Sequence, residues 1–301
     1  MSKVGEFLTY LKVERGYSDR TIDGYGRDLL GFEEFCADTD AEISALTADR
    51  DIVRRWVMHL MERGNKPTSV NRRLSALRSY YKYLMLMGEA VANPVYGVKG
   101  PKKNKPLPVF VKVGEMDRLF DNVEFPPGYT GLLDRTILLT FYLTGMRLAE
   151  LIGLDVDDVD FASGRIRVTG KRNKQRILPF VGELADALAN LVAARAKVAS
   201  YGEKALFVMP VGARVSRYYV HRVVRMYLTA VTTVSKRSPH VLRHTFATAM
   251  LNGDAGLEVV KEMLGHESIA TTEVYTHTTF DELSKNYKKA HPRGEPDTLL
   301  K

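Results

Sequence analysis

The chain reads as mainly α with a small antiparallel β-sheet, an all-helical first domain being followed by an α-rich second one. Three observations carry that reading. In the first third of the sequence, apolar residues recur at steps of three and four. A stretch of Pro, Gly and Lys then breaks the helical pattern. Farther on, over 156–180, the period changes to two.

The first domain is expected over residues 1–90. Val4, Phe7, Leu8 and Leu11 form one apolar stripe. Ser18 can cap a second helix with Ile22, Tyr25, Leu29, Phe32 and Cys36 inward, although Gly24, Gly26 and Gly31 each cost about 1 kcal/mol relative to Ala in a helix. A third helix starts near Asp49, buries Ile52, Val53, Trp56 and Leu60, and stops at Gly64. A fourth starts at Pro67–Thr68 and runs to Gly88, with Val70, Leu74, Leu77, Tyr81 and Leu84 on a continuous face. Acidic residues prevail before Asp49 and basic ones after it. Arg54, Arg55, Arg72, Arg73, Arg78 and Lys82 could form a solvated basic face or one that meets phosphate.

Residues 91–108 read as a basic Pro/Gly linker, its lysines opposing burial. The second domain is expected over 109–277. Gly114–Asp121 looks helical, and Leu132–Leu143 is apolar enough to be a central core helix. Gly145 ends it, and Arg147 stands at the start of the next helix, anchored by Leu148, Leu151 and Ile152. Glu150, three residues on, shares its face. Val156 and Val159, then Arg165–Val168, then Arg176–Pro179 alternate as strands. The turn at Gly170–Gln175 carries Lys171, Arg172 and Lys174. So basic a hairpin can be a solvated edge guarded against pairing.

Residues 183–199 predict an amphipathic helix through Leu184, Leu188 and Leu191, and Leu206–Val208 a short buried segment. Ser216 can cap a helix that turns Tyr219, Val223, Met226 and Tyr227 inward and shows Arg217, His221, Arg222 and Arg225 outward. Such a face suits a DNA groove or plain solvent.

The densest chemistry lies in 238–277. Ser238 and Pro239 start a helix on which His240 and Arg243 share a face, held by Val241, Leu242, Phe246 and Leu251 and stopped by Gly253. A short helix over Leu257–Leu264 ends at Gly265, with His266 at the turn. A further helix over Ser268–Tyr275 carries Tyr275 near its end. An arginine fork binds phosphate, imidazoles move protons, and a phenol can be a nucleophile, so the set suits attack on a phosphodiester. His240 and His244 could bind a metal, but no Glu follows His240 as in the zinc-protease helix.

In order and spacing this run resembles the tyrosine recombinases, the phage-integrase family, and within it the short Xer-like members. The resemblance spans the chain. It implies an all-helical N-terminal core-binding domain and an α-rich tyrosine-recombinase catalytic domain. It implies Arg147, Lys171, His240, Arg243, His266 and Tyr275 as catalytic residues, with Lys174 as the alternative to Lys171. It gives Glu150 the task of orienting Arg147 or a histidine. It also favours DNA contact by Arg72, Arg73, Arg78, Lys82, Arg172, Lys174, Arg217 and Arg222. The implied activity is site-specific cutting and rejoining of double-stranded DNA through a 3′-phosphotyrosyl link, for chromosome-dimer resolution or mobile-element integration. No cofactor or metal is needed, because the bond energy stays in the phosphotyrosine. A homo-tetramer on DNA, or a hetero-tetramer with a related recombinase, is expected. The tail, 278–301, is expected to dock Phe280, Leu283 and Tyr287 on a neighbouring protomer, with packing on its own domain as the alternative and order ending beyond Pro292.

Composition fits this picture. A net charge of +8 favours a polyanionic partner, and one cysteine excludes an intramolecular disulfide and points to a reducing cytosol. The opening Met-Ser-Lys-Val-Gly-Glu does not read as a signal peptide, and no apolar run reaches membrane-spanning length. A type IB-like topoisomerase and a non-catalytic DNA-binding protein on the same scaffold are the alternatives.

Overall fold

The structure, a computed structural model, describes residues 2–40, 42–102, 108–170, 173–265 and 280–294. Lys171, Arg172, His266, Tyr275 and the expected helix Ser268–Tyr275 lie outside the described residues. The chain divides into two compact units, Met1–Pro106 and Leu107–Lys301. Among the described residues, no helix is long and apolar enough to cross a membrane.

The first unit holds α1 (Lys3–Val13), α2 (Asp19–Thr39), α3 (Arg50–Glu62) and α4 (Pro67–Leu86). Asp49 caps α3 by accepting hydrogen bonds from the Asp51 and Ile52 amides, each at 2.9 Å. Phe7, Phe32, Trp56, Tyr80 and Tyr81 are the large side chains of its core. The glycines of α2 do not interrupt it. Gly26 lets α1 approach, since a Cβ there would lie 3.1 Å from Leu8 Cδ1. The expected linker begins later than its composition suggests. Val95 and Val98 join the core of this unit, and Asn71 Nδ2 donates to the Pro101 carbonyl at 2.9 Å. Two apolar residues outweigh the neighbouring Pro, Gly and Lys there.

The second unit is a helical core with a small sheet at one side. In chain order it comprises α5 (Val113–Asp121), α6 (Tyr129–Thr144), α7 (Leu148–Gly153), β1 (Val159–Asp160), β2 (Arg165–Thr169), β3 (Gln175–Pro179), α8 (Glu183–Arg195), α9 (Arg217–Val231), α10 (Pro239–Asn252), α11 (Leu257–Leu264) and α12 (Phe280–Ala290). Buried α6 is the centre, packed against α8 and α10. The sheet is antiparallel in the order β1-β2-β3, with Ile166 opposite Leu178 and Val168 opposite Arg176. Val156, expected in a strand, falls in a 3₁₀ turn over Val156–Asp158, which Asp155 and Asp158 close on themselves. Two residues expected inward point out. Met226 is 49% exposed at the edge of the apolar stripe of α9, and Leu251 is 43% exposed on the outer face of α10, two turns after exposed His244.

The tail follows the second of its two expected placements within this single chain. Helix α12 packs on α10 and β3 of its own unit and buries Leu283, Tyr287 and Ala290. Order also continues past Pro292. The Arg293 guanidinium pairs with Asp117 (3.2 Å), Asp121 (2.6 Å) and Glu183 (2.7 Å). His291 is buried among Tyr142, Phe246 and Tyr287, its Nε2 3.1 Å from the Tyr142 carbonyl. Three acids and an apolar slot within the same unit thus accept the stripe that is too small to fold alone.

Burial lowers the His291 pKa from its ordinary 6.5 to about 4, against the pull of the Tyr142 carbonyl. The unfolded chain therefore takes a proton near pH 6.5 that the folded unit refuses. Stability should fall as pH drops from 6.5 toward 4, by up to about 1.4 kcal/mol per pH unit. Denaturant unfolding of the protein and of His291→Phe across that window measures this, the variant showing the flatter profile.

Candidate active site

The site grows from the ends of three helices. Gly145 closes α6 in the left-handed region at φ 61°, and a Cβ there would lie 2.3 Å from Phe246 Cδ1 on α10. The chain turns at once into α7, with Arg147 as its N-cap residue. The Arg147 amide donates to Glu150 Oε2 at 2.6 Å and its Nη1 to Oε1 at 2.8 Å. Gly265 closes α11, also left-handed at φ 60°.

The last carbonyls of a helix have no partner within it and carry its negative dipole end. At α11 three arginines supply the donors. Arg176 Nε donates to the Met263 carbonyl at 2.8 Å, Arg243 Nη2 to Leu264 at 2.5 Å, and Arg147 Nη2 to Gly265 at 2.7 Å. Arg243 Nη1 also donates to the Gly145 carbonyl at 2.7 Å, joining the ends of α6 and α11. Glu150, only 3% exposed, is the counter-ion: besides Arg147 it accepts Arg176 Nη1 at 2.7 Å and Nη2 at 2.9 Å.

Charge follows from this packing. Burial pushes the Glu150 carboxyl up, but the Arg176 guanidinium and the Arg147 amide and side chain outweigh it and hold it below the usual range. Arg243, 8% exposed, is lowered from 12.5 to about 10 by burial and then by the like charge of Arg147. Three guanidinium groups around one carboxylate leave a positive excess, and a phosphodiester would offset it.

Of the expected catalytic residues, the structure brings Arg147 and Arg243 together, with Glu150, the expected orienting carboxylate, bonded to Arg147. His240 is exposed on the first turn of α10, one turn before Arg243. The carbonyl that receives Arg147 belongs to the residue before His266, and Gly170 and Asn173 bracket Lys171 and Arg172. Arg217 and Arg222 are exposed on α9, with Arg222 stacked 4.9 Å over the Tyr219 ring, and Lys174 is exposed on the hairpin. On α4, Lys82 is exposed and Arg78 half-buried. Arg72 pairs with the buried Asp28, and Arg73 Nε lies 3.6 Å from the same carboxylate.

Sequence reasoning missed Arg176. As a strand edge it should face solvent, yet it shares a face with buried Leu178 while Ile177 is 45% exposed. The signal was available: an arginine two residues from an apolar core position, on the inward side of an alternating strand, needs a buried partner.

Three arginines fixed on one helix end beside a basic hairpin suit an enzyme that binds a phosphodiester. Family comparison narrows the class. Residues 110–282 match the phage integrase family, and residues 4–88 match the phage integrase N-terminal SAM-like domain. Tyrosine recombinase XerC of Chlorobaculum tepidum is 37% identical, covering 97% of this chain and 94% of that protein. XerC of Pelotomaculum thermopropionicum is 38% identical over 97% and 98% of the two chains. The fold is also that of XerH recombinase bound to its difH substrate (TM-score 0.69, 21% identity, covering 94% of this chain and 83% of that one). The Tn1549 transposon integrase in complex with circular intermediate DNA shares it too (TM-score 0.71, 18% identity, 95% and 98%). The chain belongs to the phage integrase family, as a tyrosine site-specific recombinase of the Xer-like kind.

Because Glu150 is the buried carboxylate between Arg147 and Arg176, Glu150→Gln should destabilise the second unit by roughly 3 kcal/mol at pH 7. Its lowered pKa means this contribution is complete above the ordinary carboxylate range and is lost as pH falls through the folded value. Unfolding curves of the two proteins should therefore converge in acid.

Proposed function

We propose that the chain exchanges DNA strands at a specific duplex site with Tyr275 as the nucleophile. The observation that carries this is the convergence of Arg147 and Arg243 on the end of α11, at 2.7 Å and 2.5 Å from successive carbonyls. Arg147 and Arg243 bind the non-bridging oxygens of the scissile phosphate and stabilise the charge that grows there in the transition state. The Tyr275 oxygen attacks phosphorus and its proton passes to His240. His266 donates a hydrogen bond to the phosphate. The bond to the 5′ oxygen breaks, and Lys171 protonates the leaving oxygen. A 5′-hydroxyl of another strand then reverses the step. Energy is conserved in the phosphotyrosyl bond, so no nucleotide is consumed.

Exchange between two duplexes requires four active sites. We infer a tetramer on DNA, of this chain alone or with a related recombinase, acting in the cytoplasm. Similarity to XerC proteins along nearly the whole chain favours chromosome-dimer resolution over element integration. The basic faces of α4 and α9 and the hairpin are the surfaces we assign to the duplex. Asp28 holds Arg72 and Arg73 in place on α4.

Two measurements check this reading. Tyr275→Phe should bind site DNA normally yet form no covalent adduct on a nicked suicide substrate, and an undiminished adduct would refute the assignment. Replacing Arg72, Arg73 and Arg78 by Ala should weaken site binding and flatten its salt dependence by roughly 0.9 in log–log slope per lost phosphate contact. A titration with unchanged slope would remove this face from the interface.

A further inference from the structure

Arg176 has no part in the chemistry above, yet all three of its guanidinium nitrogens are bonded. Its two terminal nitrogens grip both oxygens of Glu150, and its Nε holds the Met263 carbonyl. It is the second residue of β3, so it fixes the stem by which the chain leaves the hairpin tip. The entering stem passes close to the same carboxylate. A Cβ at Gly170 would lie 3.4 Å from Glu150 Oε1, and the Gly170 amide closes the hairpin on the Lys174 carbonyl at 2.7 Å. Gly265 leaves room for the guanidinium, since a Cβ there would meet Arg176 Cδ and Nη1 at 3.2 Å. Both stems of the basic hairpin, the end of α11 and Arg147 thus meet at one buried carboxylate.

We infer that Arg176 is a positioning residue that sets the hairpin tip, and with it Lys171, relative to the Arg147–Glu150 pair. The inference rests on the recombinase reading and deepens it. Arg176 belongs to the hairpin, whereas Arg147 stands on α7 with its own amide on Glu150. Removing Arg176 frees the hairpin first and leaves Arg147 one carboxylate to itself. The step that suffers is the one Lys171 serves: breakage of the bond between phosphorus and the 5′ oxygen, with transfer of the ammonium proton to that oxygen. Arginine suits the task because its planar fork holds three acceptors in fixed directions, which a lysine cannot do.

The test is single-turnover cleavage of two nicked suicide substrates by the full chain, Arg176→Ala and Arg176→Lys. One substrate is ordinary DNA. In the other, sulfur replaces the 5′-bridging oxygen of the scissile phosphate, and the thiolate departs without a proton. Both variants should bind site DNA like the unaltered protein. Both should cleave ordinary DNA roughly 100-fold more slowly, the scale of a misplaced catalytic group. On the sulfur substrate each should cleave at close to the unaltered rate, as Lys171→Ala should, whereas Arg147→Ala should stay slow on both. If Arg176→Ala does not fold, Arg176→Lys carries the test, since it keeps the charge and loses the fork. Equal slowing on the two substrates, or no slowing on either, overturns the inference while leaving the recombinase reading intact. Failure of the unaltered protein to form an adduct on either would overturn both.

Discussion

The buried Glu150 carboxylate and the last carbonyls of α11 hold the three arginines of the catalytic unit together. Arginines repel one another, and Arg147 already lowers the pKa of its neighbour Arg243. They stay together because each finds a fixed acceptor: Arg147 and Arg176 on Glu150, and all three on the last turn of α11. Helix ends leave these carbonyls unpaired, and their partial negative charge adds to that of the carboxylate. The result is a cluster of three cations held around one carboxylate among the described residues. Such preorganisation lets a site stabilise a transition state without rearranging during the reaction.

The surrounding fold serves that arrangement. Two left-handed glycines stop α6 and α11 so that their carbonyls face inward. At Gly145 a side chain would also strike Phe246 on α10. Phe246 in turn stacks on His291, whose Nε2 meets the Tyr142 carbonyl of α6, so the tail closes over the back of the same helices. Arg293 fastens that closure to α5 and α8 through Asp117, Asp121 and Glu183. The tail helix α12 is thereby packed into the core of the second unit.

Local signals were the legible ones. Asp49, Pro67, Gly145, Gly253 and Gly265 stand at the helix ends where capping chemistry puts them, and the alternation at 165–168 gave a strand. Arg147, Glu150 and Arg243 were recognisable because an ordered set of unlike residues is a stronger signal than any one of them. What could not be read depends on contacts distant in sequence. Val95 and Val98 sit in Pro- and Gly-rich sequence yet fill a gap in the first core. Leu283 and Tyr287 show a stripe without showing what covers it, and the slot that does so comes from α10 and, much earlier in the chain, from β3. Arg176 looked like one more cation on a basic hairpin. Its partner, Glu150, lies 26 residues away on another element.

A crystal structure of the full chain on an uncut duplex carrying its recombination site tests the central claim most directly. The account places Arg147 and Arg243 on the non-bridging oxygens of one phosphate, with both guanidinium groups still bound to the α11 carbonyls and with Arg176 still on Glu150. A scissile phosphate bound away from these two arginines, or arginines that abandon the helix end to reach it, would contradict it.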